Sequence, residues 1–308
     1  AVLHNLFSTL VESLPRAKLV LTRVTPSEFR SLETIKANFA RSYLGVSDRA
    51  SIWGVYAELG WRSVAGVVWK AKLNFFGKLL RGEGGPLQSL VLACLSELPG
   101  HLQGFTSQCR DFLSRISLSH LLIEPFPAKG AWKKACSMAI DAFDENQWVL
   151  WKLRSGVCSK AAWGEEAYTS SLPYQDRALL ASVRLRVTAV GANKLTEHAG
   201  SCRLCRGLRP ESEFHVLVVC PALADLRLRF HPALSDLDLS DGDKWLEVVA
   251  YSTAALSYLK EVAEFFLLHT GHHFVRLSRM VSSSDYDEAL VAAAKEVAKV
   301  RGSFLQKD

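Results

Sequence analysis

The sequence predicts an all-α fold interrupted by one compact Cys/His knuckle, and three observations carry that expectation. Apolar residues recur at spacings of three and four through nearly every segment. No alternating segment of six residues is read as a half-buried strand. Cys202, Cys205, His215 and Cys220 are set as C-x2-C-x9-H-x4-C. Three thiolates and one imidazole complete a tetrahedral Zn²⁺ shell with no open position, so the expected metal is structural.

The elements follow in chain order. Thr25-Pro26-Ser27-Glu28 reads as a capping box with Pro at the first helical position. Phe29, Leu32, Ile35, Phe39 and Tyr43 then form one stripe, and Gly45 closes the helix. A shorter helix from about Asp48 buries Ile52, Val55 and Leu59 and stops at Gly60. A third runs from Ser63 to Arg81 with Val64, Val67, Val68, Leu73, Phe76 and Leu80 on its stripe, broken by Gly82–Pro86. Leu87–Leu98 and Leu102–Ile116 are expected helices, and Pro125-Phe126-Pro127 is the expected linker. Lys129–Phe143 and Glu145–Arg154 read as two helices, Gly164–Leu172 as a loop and Tyr174–Val187 as an amphipathic helix. The H-x4-C half of the knuckle is expected to begin a helix, with Pro221 turning the chain into another over Ala222–Phe230. Lys244–Ala250, Thr253–Leu268 and Asp285–Val300 complete a helical tail.

Composition narrows the class. The 308 residues are 49% hydrophobic and 22% charged, which suits one large or a few small folded domains. No run of 18 apolar residues occurs, so no membrane partner is expected. Seven cysteines, four of them (Cys94, Cys109, Cys136, Cys158) lying singly in apolar segments, point to a reducing compartment, nuclear or cytoplasmic. The chain opens on Ala1 rather than Met and is read as part of a longer product. Residues 151–230 hold 12 Lys and Arg against 7 Asp and Glu, whereas residues 231–308 hold 8 against 12. The basic excess is densest around the knuckle, as a surface facing phosphates would require.

A closed Zn²⁺ shell of three thiolates and one neutral His carries a net charge of about −1. Arg203, Arg206 and Arg209 more than offset it, either to contact phosphate of RNA or DNA or only to neutralise and solubilise the loop. Arg184 and Arg186 are about 200° apart on a helix. With Arg177 and Lys194 they either edge a groove or form plain solvated surface. Lys70, Lys72, Lys78 and Arg81 are expected on the exposed part of the third helix, tracking a nucleic-acid backbone or simply solvated. The eight tryptophans are read as core rather than as a stacking platform, and Phe214 as packing under the knuckle. His269, His272 and His273 are read as a helix terminus rather than a metal cluster. Asp236, Asp238, Asp241 and Asp243 are read as a loop, with a metal-dependent nuclease as the minor alternative.

Cys202-Arg203-Leu204-Cys205, Glu211-Ser212, His215 and Cys220-Pro221 together resemble the zinc-binding segment that follows the polymerase domain of non-LTR (LINE-type) retrotransposon reverse transcriptases. Leu32-Glu33, Phe39-Ala40-Arg41, Leu44-Gly45-Val46, Glu58-Leu59-Gly60-Trp61, Leu73, Phe75-Phe76 and Leu79-Leu80 resemble the helical region between palm and zinc segment, and Phe265–Gly271 resembles a recurring tail segment. The likeness covers about residues 20–275. It implies a thumb-like region (1–127), a helical linker (128–196), a CCHC zinc knuckle (197–233) and an acidic helical tail (234–308). It further implies binding of template RNA and target DNA, alongside the polymerase fingers and palm of the same polyprotein. No Asp-Asp pair exists in the chain, so the resemblance implies no polymerase activity for this portion. Two other readings stay open: a zinc-stabilised protein-assembly module, and a degenerate element copy that folds without nucleic-acid function.

Overall fold

The computed structural model describes residues 26–83, 85, 105–155, 163–190, 201–230, 249 and 255–275. They fold as helices α1 (Pro26–Leu44), α2 (Ile52–Leu59), α3 (Val64–Leu80), α4 (Phe105–Arg115), α5 (Lys129–Ser155), α6 (Tyr168–Ser171), α7 (Tyr174–Arg184), α8 (Ala224–Phe230) and α9 (Leu256–Thr270). Short 3₁₀ turns lie at Ser119–Leu122 and Pro221–Leu223. Among the described residues no strand forms, and Leu59 and Glu165 meet in an isolated antiparallel bridge. No helix among them is long and apolar enough to cross a membrane. The expected helices Leu87–Leu98 and Asp285–Val300 lie outside the described residues, as does Lys244–Ala250 apart from Val249.

The described residues fall into two compact units, one drawn from 26–36 and 62–147, the other from 37–61 and 148–275. In the first unit, α3, α4 and α5 close over Leu73, Phe76, Phe105, Phe112, Trp132 and Ile140. Trp132 lies flat against Gly77, where a Cβ would sit 2.4 Å from the indole, and donates its Nε1–H to Leu73 O at 2.9 Å. Trp69 stacks on Phe112 at 4.1 Å between centroids.

The start of α3 is satisfied by side chains. Ser63 Oγ accepts the Gly66 N–H at 2.8 Å, and Glu33 accepts the Val64 N–H at 2.9 Å. Asp144 takes the Ser63 N–H at 2.9 Å and the Ser63 hydroxyl at 2.7 Å. These groups meet the donors that a helix N-terminus leaves orphaned. The same contact corrects the expected break at Phe143/Glu145: α5 runs unbroken for 27 residues, because buried Asp144 is satisfied across the unit rather than capping a new helix.

In the second unit, α2 starts at Ile52 rather than Asp48, with Ser51 extended at its N-terminus. Gly60 ends it in the left-handed region (φ 64°). A Cβ there would lie 2.6 Å from Glu165 N, so both conformation and space require glycine. Below it lies a buried polar knot. Arg184 Nε pairs with Glu58 at 2.9 Å and its Nη2 with Glu166 at 3.2 Å. Tyr168 donates its hydroxyl to Glu58 at 2.8 Å, and the Arg184 guanidinium lies 5.1 Å from the Tyr168 ring centroid. Burial and then the Glu58 charge push the Tyr168 phenol far up, which keeps it a donor. Tyr168 belongs to α6, so the expected loop at Gly164–Leu172 contains a helical turn. The described tryptophans support the core reading: Trp61, Trp132 and Trp148 are buried, Trp53, Trp69, Trp151 and Trp163 are half-buried, and Trp245 lies outside the described residues.

Candidate metal centre and nucleic-acid surface

The knuckle is built from two tight pieces of chain. In the first, the Arg206 N–H donates to Cys202 O at 2.8 Å and the Cys202 N–H to Gly207 O at 3.2 Å. This folds Cys202 and Cys205 onto one side of a turn, with Arg206 in the left-handed region at φ 54°. The second piece is a π-helical turn, His215–Val219, closed by the Cys220 N–H on His215 O at 2.7 Å. The expectation was an ordinary helix here. Five residues advance about 500° in an α-helix, leaving His215 and Cys220 about 140° apart. The wider π turn brings residues i and i+5 close to alignment.

The four ligand atoms lie within 4.8 Å of one another. Cys202 Sγ and Cys220 Sγ are 3.9 Å apart, and Cys205 Sγ is 3.4 Å from His215 Nε2. A tetrahedral ion with Zn–S of about 2.3 Å and Zn–N of about 2.0–2.1 Å requires edges of about 3.8 and 3.6 Å. The donor set and its spacing therefore fit, and the four residues could hold a metal ion. Compared with known proteins, the chain matches no family model, no curated protein and no solved structure.

The electrostatics of the cluster suit ligation. Burial lowers the His215 pKa, helped by the positive charges of Arg209 and Arg227 and opposed by Glu211, so the imidazole is held neutral. Burial pushes the Cys220 thiol up to about 12 and raises Cys202. At Cys205 burial also raises the pKa, but hydrogen bonds from the Gly207 N–H and the neighbouring thiols outweigh it and the net shift is downward. A dication is what would make such buried thiols ionise together.

Around the ligands the structure places groups that the motif did not reveal. Glu211 is fully buried. It accepts the Arg203 N–H at 2.9 Å and the Arg203 guanidinium at 2.5 Å. Arg203 also donates to Ala189 O at 3.2 Å and lies 5.0 Å from the Phe266 ring. Arg227 donates to Cys220 O at 2.7 Å, and Tyr258 of α9 to Leu217 O at 2.5 Å. Glu213 accepts from the Thr188 N–H at 3.2 Å. The charge balance of the loop, three arginines against Glu211 and Glu213, was the one sequence signal for these partners. Nothing local pointed to Tyr258.

Several expected contact residues therefore stand elsewhere. Arg203 was expected to face outward with Arg206 and Arg209, but it is turned inward because Glu211 would otherwise be a buried, unpaired carboxylate. Arg206 and Arg209 are exposed. Arg184, expected at a groove edge, is buried in the Glu58–Glu166 knot. Arg186 lies beyond the end of α7 at φ 51°, so the two do not share a helix. Arg177 lies 4.4 Å from the Tyr43 ring and donates to Thr169 O at 3.0 Å. Lys194 and the Asp236–Asp243 run lie outside the described residues.

In the first unit, Lys72 is not on the exposed face of α3 but buried. Its Nζ lies 5.4 Å from the Trp69 ring and 3.4 Å from Gln108 Oε1, and burial lowers its pKa. Lys70 is half-buried, donating to Ser137 Oγ at 3.1 Å, and Arg81 pairs with Glu83 at 2.6 Å. Lys78 is exposed. Cys109 and Cys136 are buried free thiols, as expected of core cysteines, and Cys94 and Cys158 lie outside the described residues. His269 stacks on Phe265 at 3.8 Å, and Gly271 caps α9 at φ 67°.

Proposed function

We propose that the chain is the nucleic-acid-binding C-terminal portion of a non-LTR retrotransposon reverse transcriptase, with a Zn²⁺ ion in the CCHC knuckle and thumb-like and linker helices ahead of it. The observation that carries the reading is the convergence of Cys202, Cys205, His215 and Cys220, with Arg206 and Arg209 exposed on the ligand loop. In this reading the zinc fixes shape, and the arginines, with Lys78 on the first unit, supply phosphate contacts. The chain positions template RNA and target DNA for target-primed reverse transcription and does no polymerase chemistry itself. A nuclear or cytoplasmic, reducing setting keeps the thiols available for metal.

The test is fluorescence anisotropy of the zinc-loaded chain against a structured RNA and a DNA duplex across a salt series. A log–log slope of about −2 to −3 is expected, since each phosphate contact contributes about −0.9. Cys205→Ser should weaken binding and lose the metal together. Absence of binding at low salt rejects the reading.

The assembly reading is favoured by one observation. Val149, Leu150 and Leu153 form an exposed apolar row near the end of α5, with Leu153 at 75% exposure. Light scattering of the native chain against Leu153→Lys tests it: a wild-type oligomer that the substitution dissolves would support assembly.

A further inference from the structure

Between the two exposed arginines of the knuckle loop stands Leu208, 94% exposed and the most exposed large apolar side chain among the described residues. A lone exposed leucine is ordinary. This one differs in how it is held. On one side the Cys202 N–H binds Gly207 O at 3.2 Å and the Arg206 N–H binds Cys202 O at 2.8 Å. On the other, the Ser212 N–H closes on Pro210 O at 2.9 Å, beside buried Glu211. The loop is thus tied down at both ends, and Leu208 projects from it between Arg206 and Arg209.

We propose that Leu208 is an apolar wedge that enters a base step of a nucleic-acid duplex while Arg206 and Arg209 hold the flanking phosphates. The inference deepens the nucleic-acid reading above and rests on it. A duplex offers this pattern of chemistry, phosphates a few ångströms from an apolar stack of bases. A wedge partly unstacks one step, at a cost of a few kcal/mol that the burial of the side chain and the phosphate contacts must offset. An anionic membrane offers charge beside an apolar interior as well. One leucine, worth about 1.5–3 kcal/mol, is far short of a myristoyl chain, which by itself binds membranes only marginally. A single side chain suffices for a base step and not for a bilayer.

The experiment uses the full zinc-loaded chain and a short DNA duplex carrying 2-aminopurine at a flexible pyrimidine–purine step, with anionic phosphatidylserine vesicles as a separate arm. Wild type should raise the 2-aminopurine emission on binding. Leu208→Ala should abolish the rise and weaken binding about tenfold, through the lost apolar contact alone, with an unchanged salt slope. Leu208→Met should keep both signals. Arg206→Ala with Arg209→Ala should flatten the slope. Because Leu208 touches solvent almost everywhere, zinc content and helicity of Leu208→Ala should match wild type. A normal emission rise in Leu208→Ala overturns the wedge and leaves the binding reading standing. No duplex binding by wild type overturns the wedge, and no binding of the structured RNA either overturns the nucleic-acid reading with it. Vesicle binding lost in Leu208→Ala, with duplex emission unaffected, reassigns the leucine to a lipid surface.

Discussion

Arg184 and Arg203 show how a cation's role is set by what it meets rather than by its place in a motif. Each is drawn inward by a carboxylate that the fold has buried, Glu58 and Glu211 respectively. Removing one partner of such a pair strands the other charge, at a cost of about 3–5 kcal/mol. Arg184→Ala should therefore lower the urea midpoint sharply. Arg184→Ala with Glu58→Gln should recover part of the loss, and a double-mutant cycle checks that coupling. Arg206 and Arg209 meet no such partner in burial, and their substitution should leave thermal stability within about 0.5 kcal/mol of wild type. The sequence could not separate these arginines, since the pairing of Arg203 with Glu211 depends on burial that only folding creates.

At the scale of elements, α3 and α5 are joined by one buried carboxylate. Asp144→Ala leaves the Ser63 N–H and hydroxyl without their partner and should cost about 1–3 kcal/mol, read as an earlier denaturation midpoint. Burial raises the Asp144 pKa despite the Ser63 hydrogen bonds. The folded state thus binds this proton more readily than the unfolded chain. The corresponding contribution to stability is full below the ordinary carboxyl value of 3.8 and is lost as pH rises through the folded value. Asp144→Asn, which can still pair with Ser63, should remove that pH dependence, and denaturation midpoints across acidic to neutral pH check the sign. Gly77→Ala would set a Cβ against Trp132 and should destabilise the first unit by about 1–3 kcal/mol. The ends of α1, α2 and α3 were legible because Gly45, Gly60 and Ser63 act locally. The continuity of α5 was not, because the group that settles Asp144 lies 81 residues away.

For the molecule as a whole, the knuckle is a fixed part of the second unit, tied to α9 by Tyr258, to α8 by the bond from Arg227 to Cys220 O, and to the segment after α7 by Glu213. With a metal ion held by the four ligands, its removal should therefore be felt beyond the ligand loop. Chelation should speed amide exchange over His215–Leu223 and in α9, while the Leu73–Leu79 and Trp132–Ile140 core of the first unit keeps its protection. Equal loss in both units would contradict this division.

By itself the sequence determined the helical class, the caps that act within a turn, and the four residues fit to hold a metal. These rest on periodicity, backbone preference and donor chemistry, all of which operate over a few neighbouring residues. Tertiary structure decided which cations stay in water, where α5 runs on, and that a π turn rather than an α-helix aligns His215 with Cys220. Those outcomes depend on burial, and a charge or a hydrogen-bond donor acquires its cost only when distant parts of the chain have taken its water away.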